Sequence, residues 1–269
     1  MTRRRLDAEL VRRKLARSRE HASELIAEGR VRVGGRPASK AATQVEAGAA
    51  ILVDTADEGP GYVSRGAHKL AGALAAFDGL KPAGRVCLDA GASTGGFTDV
   101  LLRAGAARVY AVDVGRGQIA WSLRTDDRVT VLERTNVRDL TPELLGAPEA
   151  PAPDLVVGDL SFISLRLVLE PLRRCAAPGA DYALMVKPQF EVGKDLVGAG
   201  GVVRDPELRA GAVRDVAQHA ATLGLGVLGV TASPLPGPAG NVEYFLWMRA
   251  GAPPLADADL ARAVAEGPQ

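Results

Sequence analysis

From Gly66 onward the sequence predicts an α/β domain built on a doubly wound sheet, and two observations carry that expectation. Short apolar runs, "RVCLDAG", "RVYAVDVG", "VTVLERTN", "DLVVGDLSF" and "YALMVKPQF", each end near an acid, an amide or a lysine. Segments with helical apolar spacing separate them, which is the alternation that places functional loops at strand C-termini.

Before that domain, Leu6, Leu10, Val11 and Leu15 are spaced for a short helix, and Ser18 is a candidate N-cap for a second. The second helix runs over Arg19 to Glu28, buries Leu25 and Ile26, and has Gly29 as its candidate C-cap. "VRVGGRPAS" alternates like a strand into Gly34 and Gly35, and "AAILVD" supplies another strand. These elements predict a small α+β module over residues 1–55, marginal in size for a core of its own. "ADEGPGYVSRG" marks an interdomain joint over residues 56–65, either a mobile linker or a segment docked through Tyr62 and Val63.

The larger domain then spans residues 66–269. "HKLAGALAAF" is helical, and further helices are expected at Thr98 to Ala104, Leu165 to Cys175 and Pro206 to Leu223. "GLGVLGVTAS" and "VEYFLWMR" read as late strands joined by "PLPGPAGN", a connection that allows a closing antiparallel strand. "EVGKDLVGAGGVVRDP" is too glycine-rich for regular structure and is expected as an irregular loop, either gating or inert.

With 269 residues, a net charge of +1 and 47% hydrophobic residues, the chain reads as globular. No apolar run approaches the roughly 18 residues of a membrane span, and no apolar signal region follows the N-terminal charges, so a cytoplasmic location without a membrane partner is expected. Cys87 and Cys175 sit in apolar surroundings and read as reduced core thiols. His21, His68 and His219 have no metal-ligand spacing, so no metal is expected. The near-zero net charge hides a basic N-terminal segment, rich in arginine from Arg3 to Arg36, that suits a polyanion.

The glycine turn "GASTGG" fits neither the Gly-x-Gly-x-x-Gly pattern of dinucleotide sites nor the Gly-Lys-Ser/Thr pattern of triphosphate loops. It reads Asp-x-Gly-x-x-x-Gly-Gly after a first strand, and so resembles S-adenosyl-L-methionine-dependent methyltransferases. The resemblance implies a Rossmann-like sheet and a cofactor site made of Asp89, Gly91, Ser93, Gly95, Gly96 and Phe97. Glycines there admit close backbone approach, and Asp89 is expected beside the ligand ammonium. Asp113 ends the second strand, where it suits ribose hydroxyls, and Asn136 and Asp139 after the third strand are placed to reach adenine.

Lys69, Asp159, Lys187 and Glu243 stand at the edges of apolar segments, where a charge is costly unless paired or used. They resemble the Lys-Asp-Lys-Glu set of FtsJ-like ribose 2′-O-methyltransferases. The N-terminal module resembles the ribosomal-protein S4 type of RNA-binding domain, which makes Arg4, Arg17, Arg19 and Lys40 candidate RNA contacts rather than a merely solvated face. Together the two parts resemble the TlyA family, historically called haemolysins, over nearly the whole chain. That resemblance implies methylation of cytidine 2′-oxygens in the rRNA of ribosomal subunits. The joint departs from it, with Pro60, Gly61, Tyr62 and Val63 where some members carry Arg-x-Trp-Val.

In this reading Lys187 either removes the hydroxyl proton or, kept cationic by Asp159 and Glu243, orients the hydroxyl and stabilises developing negative charge. Trp121, Phe162 and Phe190 are expected in the core, with stacking on a base as the alternative. Rival functions are a non-catalytic RNA-binding factor on a retained scaffold and a membrane-active haemolysin.

Overall fold

The computed structural model describes residues 3–16, 19–27, 29–46, 48–53, 61–237 and 239–268, the side chains of Glu20 and Glu24 aside. Arg17, the Ser18 cap, Glu28 at the expected end of the second helix and residues 56–60 of the joint lie outside that description. The chain divides into two compact units, Met1–Gly61 and Tyr62–Gln269.

In the first unit, strand β1 (Arg3–Arg5) leads into helices α1 (Leu6–Arg12) and α2 (Arg19–Ala27). Short strands β2 (Val31–Val33), β3 (Arg36–Pro37), β4 (Gln44–Glu46) and β5 (Ile51–Val53) follow. Strand β2 lies between β3 and β5, all antiparallel. Leu6, Leu10, Ala22, Leu25, Ile26, Val31 and Val45 fill the core, so the helix face read from the sequence is the buried one. Strand β1 pairs antiparallel with β4, Arg4 opposite Val45, which the sequence did not predict. An Arg-Arg-Arg run carries no apolar alternation, and this strand is held by backbone pairing and a cross-strand ion pair of Arg3 with Glu46 at 3.5 Å, its side chains exposed.

The second unit begins with α3 (Gly66–Ala76) and continues through β6 (Val86–Ala90), α4 (Gly96–Arg103), β7 (Arg108–Val112), α5 (Trp121–Arg124), β8 (Val129–Leu132) and β9 (Leu155–Gly158). Then come α6 (Leu169–Cys175), β10 (Asp181–Val186), α7 (Pro188–Glu191), α8 (Pro206–Thr222), β11 (Leu225–Ala232), β12 (Tyr244–Ala250) and α9 (Asp257–Glu266). Its 7-stranded sheet has the order β11-β12-β10-β9-β6-β7-β8. Strand β12 runs antiparallel to both neighbours, and the other pairs are parallel.

Successive strand residues alternate between two cores, as a pleated sheet covered on both faces requires. Cys87, Val109, Val157 and Met185 pack beneath α3 and α4 with Leu70, Ala73 and Leu101. Leu88, Tyr110, Val156 and Leu184 face Leu169, Leu172, Val213 and Leu260 on the other side. Both cysteines are free and buried, and burial pushes their thiols up, Cys87 to about 12 and Cys175 to about 11.

Three local expectations are corrected. The helix expected over Leu165 to Cys175 is a 3-10 turn at Leu165–Leu167 followed by α6. The loop after β10 is more ordered than its composition suggests: 3-10 turns form at Lys194–Leu196 and Ala199–Gly201. Asn241 ties it down, its Nδ2 donating to Gly201 O at 2.8 Å and its Oδ1 accepting from Val203 N at 2.9 Å. Helix α9 was not foreseen, because only Leu260 and Ala263 of it are buried.

Candidate active site

Parallel strands β6, β9 and β10 end at one edge of the sheet, and the antiparallel β12 starts there, with Val186 opposite Tyr244. Sheet topology therefore gathers Asp89, Asp159, Lys187 and Glu243 from distant parts of the chain, and α3 adds Lys69. The four candidates form one line of alternating charge. Lys69 Nζ donates to Glu243 Oε2 at 2.6 Å and lies 3.6 Å from Asp159 Oδ2. Asp159 Oδ1 is 2.6 Å from Lys187 Nζ, an ion pair by distance without hydrogen-bond alignment. Lys187 Nζ also donates to Ser161 Oγ at 2.9 Å.

Lys69 and Lys187 are almost fully buried and Glu243 is enclosed, so each charge depends on its partner for solvation. Ser161, Gln189 and Gly237 were not singled out in the sequence. Gln189 Nε2 donates to Glu243 Oε1 at 3.2 Å, and a Cβ on Gly237 would stand 2.6 Å from that same oxygen. Ser161 and Gln189 each lie two residues beyond a strand-end charge, and that spacing is the signal that could have found them.

The glycine turn is built differently from the expectation. Gly91 has φ +86, and a Cβ there would meet the Asp159 carbonyl oxygen at 2.8 Å. A Cβ on Gly95 would meet Leu123 at 2.3 Å, and one on Gly96 the Ser64 hydroxyl at 2.4 Å. Close packing of the protein on its own turn is thus one reason for glycine at these positions. Phe97 is likewise a core residue, 4% exposed, its ring 5.9 Å from that of Phe245.

Asp89 is fully enclosed: Oδ2 accepts from Thr98 Oγ1 at 2.7 Å, and Oδ1 has no partner. Burial above all, with the charges of Asp159 and Asp113, pushes the Asp89 carboxyl up to about 7 against the pull of its Thr98 hydrogen bonds.

Asp113 Oδ2 accepts from the Ser93 amide at 2.8 Å and Oδ1 from the Gly115 amide at 2.6 Å, which fixes the carboxylate while leaving lone pairs free. Asp113 lines a narrow crevice with Ser93, Gln118, Ile119, Val131 and the unforeseen Glu133, which accepts from the Gly117 amide at 2.6 Å. Asn136 and Asp139 are exposed, with Asn136 Oδ1 capping the 3-10 turn that contains Asp139 through Arg138 N at 3.1 Å.

Two of the aromatic residues expected in the core are at the surface. Trp121 is 75% exposed and Phe162 91%, the latter with φ +63 and its ring 5.2 Å from that of half-buried Phe190. Glu191 accepts from Ser164 Oγ at 2.6 Å and Leu165 N at 2.7 Å, binding the segment after Asp159 to the one after Lys187. Tyr62 and Val63 dock within the second unit: Val63 N donates to Asp99 Oδ2 at 2.9 Å, and the Arg103 guanidinium lies 4.9 Å from the Tyr62 ring centroid.

On the first unit, Arg4 and Lys40 are exposed. Arg19 meets Asp7 Oδ2 at 2.9 Å while its side chain stays 60% exposed. Arg5, on the same carboxylate, holds Asp7 far below the usual range. These cations keep an outward face in spite of their partner.

Comparison with known proteins agrees with this architecture. Residues 62–250 match the FtsJ-like methyltransferase family, and residues 4–51 match the S4 domain. The chain is 60% identical over 270 residues, 98% of each chain, to the 16S/23S rRNA (cytidine-2′-O)-methyltransferase TlyA of Mycobacterium tuberculosis. It is 36% identical to the 23S rRNA (cytidine-2′-O)-methyltransferase TlyA of Campylobacter jejuni, over 69% of this chain and 70% of that one. A solved structure from Streptococcus thermophilus, named for hemolysin, superposes with a TM-score of 0.77 at 35% identity, covering 99% of this chain and 96% of that one. Strand order, the Lys–carboxylate line and these matches agree: the chain belongs to the FtsJ-like methyltransferases, in their TlyA branch, and carries an S4 domain at its N-terminus.

Proposed function

We propose that this chain transfers a methyl group from S-adenosyl-L-methionine to the 2′-oxygen of cytidines in the rRNA of both ribosomal subunits, in the cytoplasm. Residues 1–55 hold the RNA, 56–65 join the domains and 66–269 carry the chemistry. The observation that carries this reading is the Glu243–Lys69–Asp159–Lys187 line, which ends in a lysine beside a carboxylate-rich turn.

The donor set fits a cationic ligand. Asp89, Asp113 and Asp159 repel one another around the turn, so a phosphate there is disfavoured and a ligand carrying ammonium and sulfonium charge is favoured. Asp113 would hold the ribose, with the Ser93 side of the turn, Asn136 and Asp139 around the rest. When bound, S-adenosyl-L-methionine supplies an electrophilic methyl group on a positively charged sulfur.

The acceptor hydroxyl is a poor nucleophile and must be oriented. Lys187, between Asp159 and Ser161, is placed to donate to the 2′-oxygen, turning one lone pair toward the methyl group. The hydroxyl proton leaves to water as the oxygen–carbon bond forms and the methyl–sulfur bond would break, leaving a neutral thioether, and the Lys187 ammonium stabilises the partial negative charge that the oxygen carries as its proton departs. Asp159 and Glu243 hold the two lysines, and Lys69 adds positive field behind them. The test is transfer of tritium from methyl-labelled cofactor to unmodified small and large subunits. Label recovered in 2′-O-methylcytidine from both is expected, and cofactor binding without transfer to either overturns the proposal.

The raised Asp89 carboxyl gives cofactor binding a pH dependence with a definite sign. A cationic ligand favours the ionised carboxylate, so binding below pH 7 must expel a proton and weakens by up to about tenfold per pH unit. The affinity is expected to rise from pH 5.5 to 7 and flatten above, and calorimetry in two buffers should show proton release below 7. In Asp89→Asn the slope disappears. The ligand-free protein behaves oppositely: the native state holds this proton after the unfolded chain has lost it, so stability falls between about pH 4 and 7.

For the basic module, Arg4→Ala is expected to weaken rRNA binding a few-fold and to lower the slope of log affinity against log salt by about one. Filter binding of the full chain at several salt concentrations measures it. An unchanged slope would remove Arg4 from the interface.

A further inference from the structure

Gln189, in the first turn of α7 two residues past Lys187, has the two ends of its amide in unequal circumstances. Its Nε2 donates to Glu243 Oε1, while its Oε1 is sealed from water without a partner. The assignment of the two ends follows from chemistry. An ionised carboxylate only accepts hydrogen bonds, so the amide nitrogen must face Glu243, and a flipped side chain would set two oxygens against each other. Glu243 is itself immobilised, with Oε2 on Lys69 at 2.6 Å and the Gly237 backbone close against Oε1. The catalytic cluster thus holds a neutral hydrogen-bond acceptor that cannot turn into a donor and has no protein partner among the described residues.

A buried orphan at an active site calls for a donor that arrives with the substrate. Phe190 follows directly in the chain, its ring 6.0 Å from Lys187 Nζ and tilted 45° against that of exposed Phe162, so an aromatic surface for a base adjoins Gln189. On the proposed ribose methylation, on which this inference rests, the arriving nucleotide brings two hydrogen-bond donors, the reacting 2′-hydroxyl, whose proton leaves to water, and the exocyclic amine of the base. We propose that Gln189 Oε1 accepts a hydrogen bond from the exocyclic amine of the target cytosine and thereby sets the choice of base. Uracil carries a carbonyl oxygen in place of that amine, and the fixed amide then meets acceptor with acceptor. Base selection and catalysis share one carboxylate, because Glu243 both pairs with Lys69 and prevents the amide from flipping.

The experiment uses ribosomal subunits reconstituted with the cytidine that becomes labelled in the transfer assay, or with uridine or the amine-free 2-pyrimidinone nucleotide at that position. Rates are compared for the wild type and for Gln189→Met, which keeps the length of the side chain and loses the acceptor. The wild type is expected to favour cytidine over both replacements at least about tenfold in kcat/KM, and Gln189→Met to bring the three within about threefold. Cofactor affinity and melting temperature report whether the variant is folded. The wild-type comparison of cytidine with 2-pyrimidinone stands without any variant, and equal rates there overturn the proposal. Preference for cytidine that survives intact in Gln189→Met, with all three rates reduced alike, also overturns it and leaves Gln189 as a support for Glu243. Absence of label on cytidine subunits in the wild type would sink the methylation reading itself, a different outcome from label with no base preference.

Discussion

Lys187→Ala is expected to lower the rate of methyl transfer by about 10²–10³-fold or more while cofactor affinity stays within about threefold of the wild type. Its Nζ is the end of the charge line, in contact with Asp159 and Ser161. Loss of that one group removes both the orientation of the acceptor hydroxyl and the stabilisation of its developing charge. The fold should tolerate the change, because Asp159 keeps Lys69 at 3.6 Å and its side chain is 21% exposed. Lys187→Arg is expected to recover little, since a planar fork cannot occupy the position of a compact ammonium between Asp159 and Ser161. Single-turnover transfer to ribosomal subunits, beside equilibrium cofactor binding, decides the matter. A rate within tenfold of the wild type would show that Lys187 is a structural ion-pair member, with the chemistry held elsewhere.

Glu243→Ala is expected to cost stability as well as activity. The carboxylate is 1% exposed, and it is the nearest counter-charge to Lys69, itself 8% exposed. Removing one member of such a buried pair costs about 3–5 kcal/mol, because Lys69 keeps its burial and is left with only the more distant Asp159 at 3.6 Å. At about 2–4 °C per kcal/mol for a domain of this size, the melting temperature should fall by about 10 °C. Replacing both partners by apolar residues, Lys69→Met with Glu243→Leu, should restore most of that loss and none of the activity. Recovery of stability without activity would separate support from chemistry. A double variant as unstable as Glu243→Ala would instead mean that the packing around Tyr244 depends on Glu243 for its shape.

Much of this site was legible in the sequence because charge at the end of an apolar strand is conspicuous. Asp159 and Lys187 terminate runs of four and six consecutive buried residues, and a parallel sheet must carry both ends to the same edge. The antiparallel arrival of β12 was open to inference from the proline-rich connection before it. What could not be read was lateral. The turn pattern at Gly91 is local, whereas the atom that excludes a side chain there belongs to Asp159, far along the chain. Phe97 lies inside the motif yet points to Phe245. Trp121 and Phe162 are apolar letters, and only the packed structure shows that nothing covers them. Strand β1 escaped notice for a similar reason: its partner lies some forty residues away, and pairing of backbone leaves no pattern in side chains.

The antiparallel strand β12 also sets the order in which the enzyme comes into being. A ribosome delivers Lys69, the glycine turn, Asp159 and Lys187 before it delivers Glu243, and the residues that pair β12 to β10 and β11 come after that. Until they emerge, the growing chain has the glycine turn, but Lys69 has only Asp159, 3.6 Å away in the finished fold, as a counter-charge, and the sheet beside β10 is not closed. Contacts across so much sequence are the slowest to form. The full charge line, with Lys69 held between two carboxylates, therefore forms only after β12 has paired with β10 and β11.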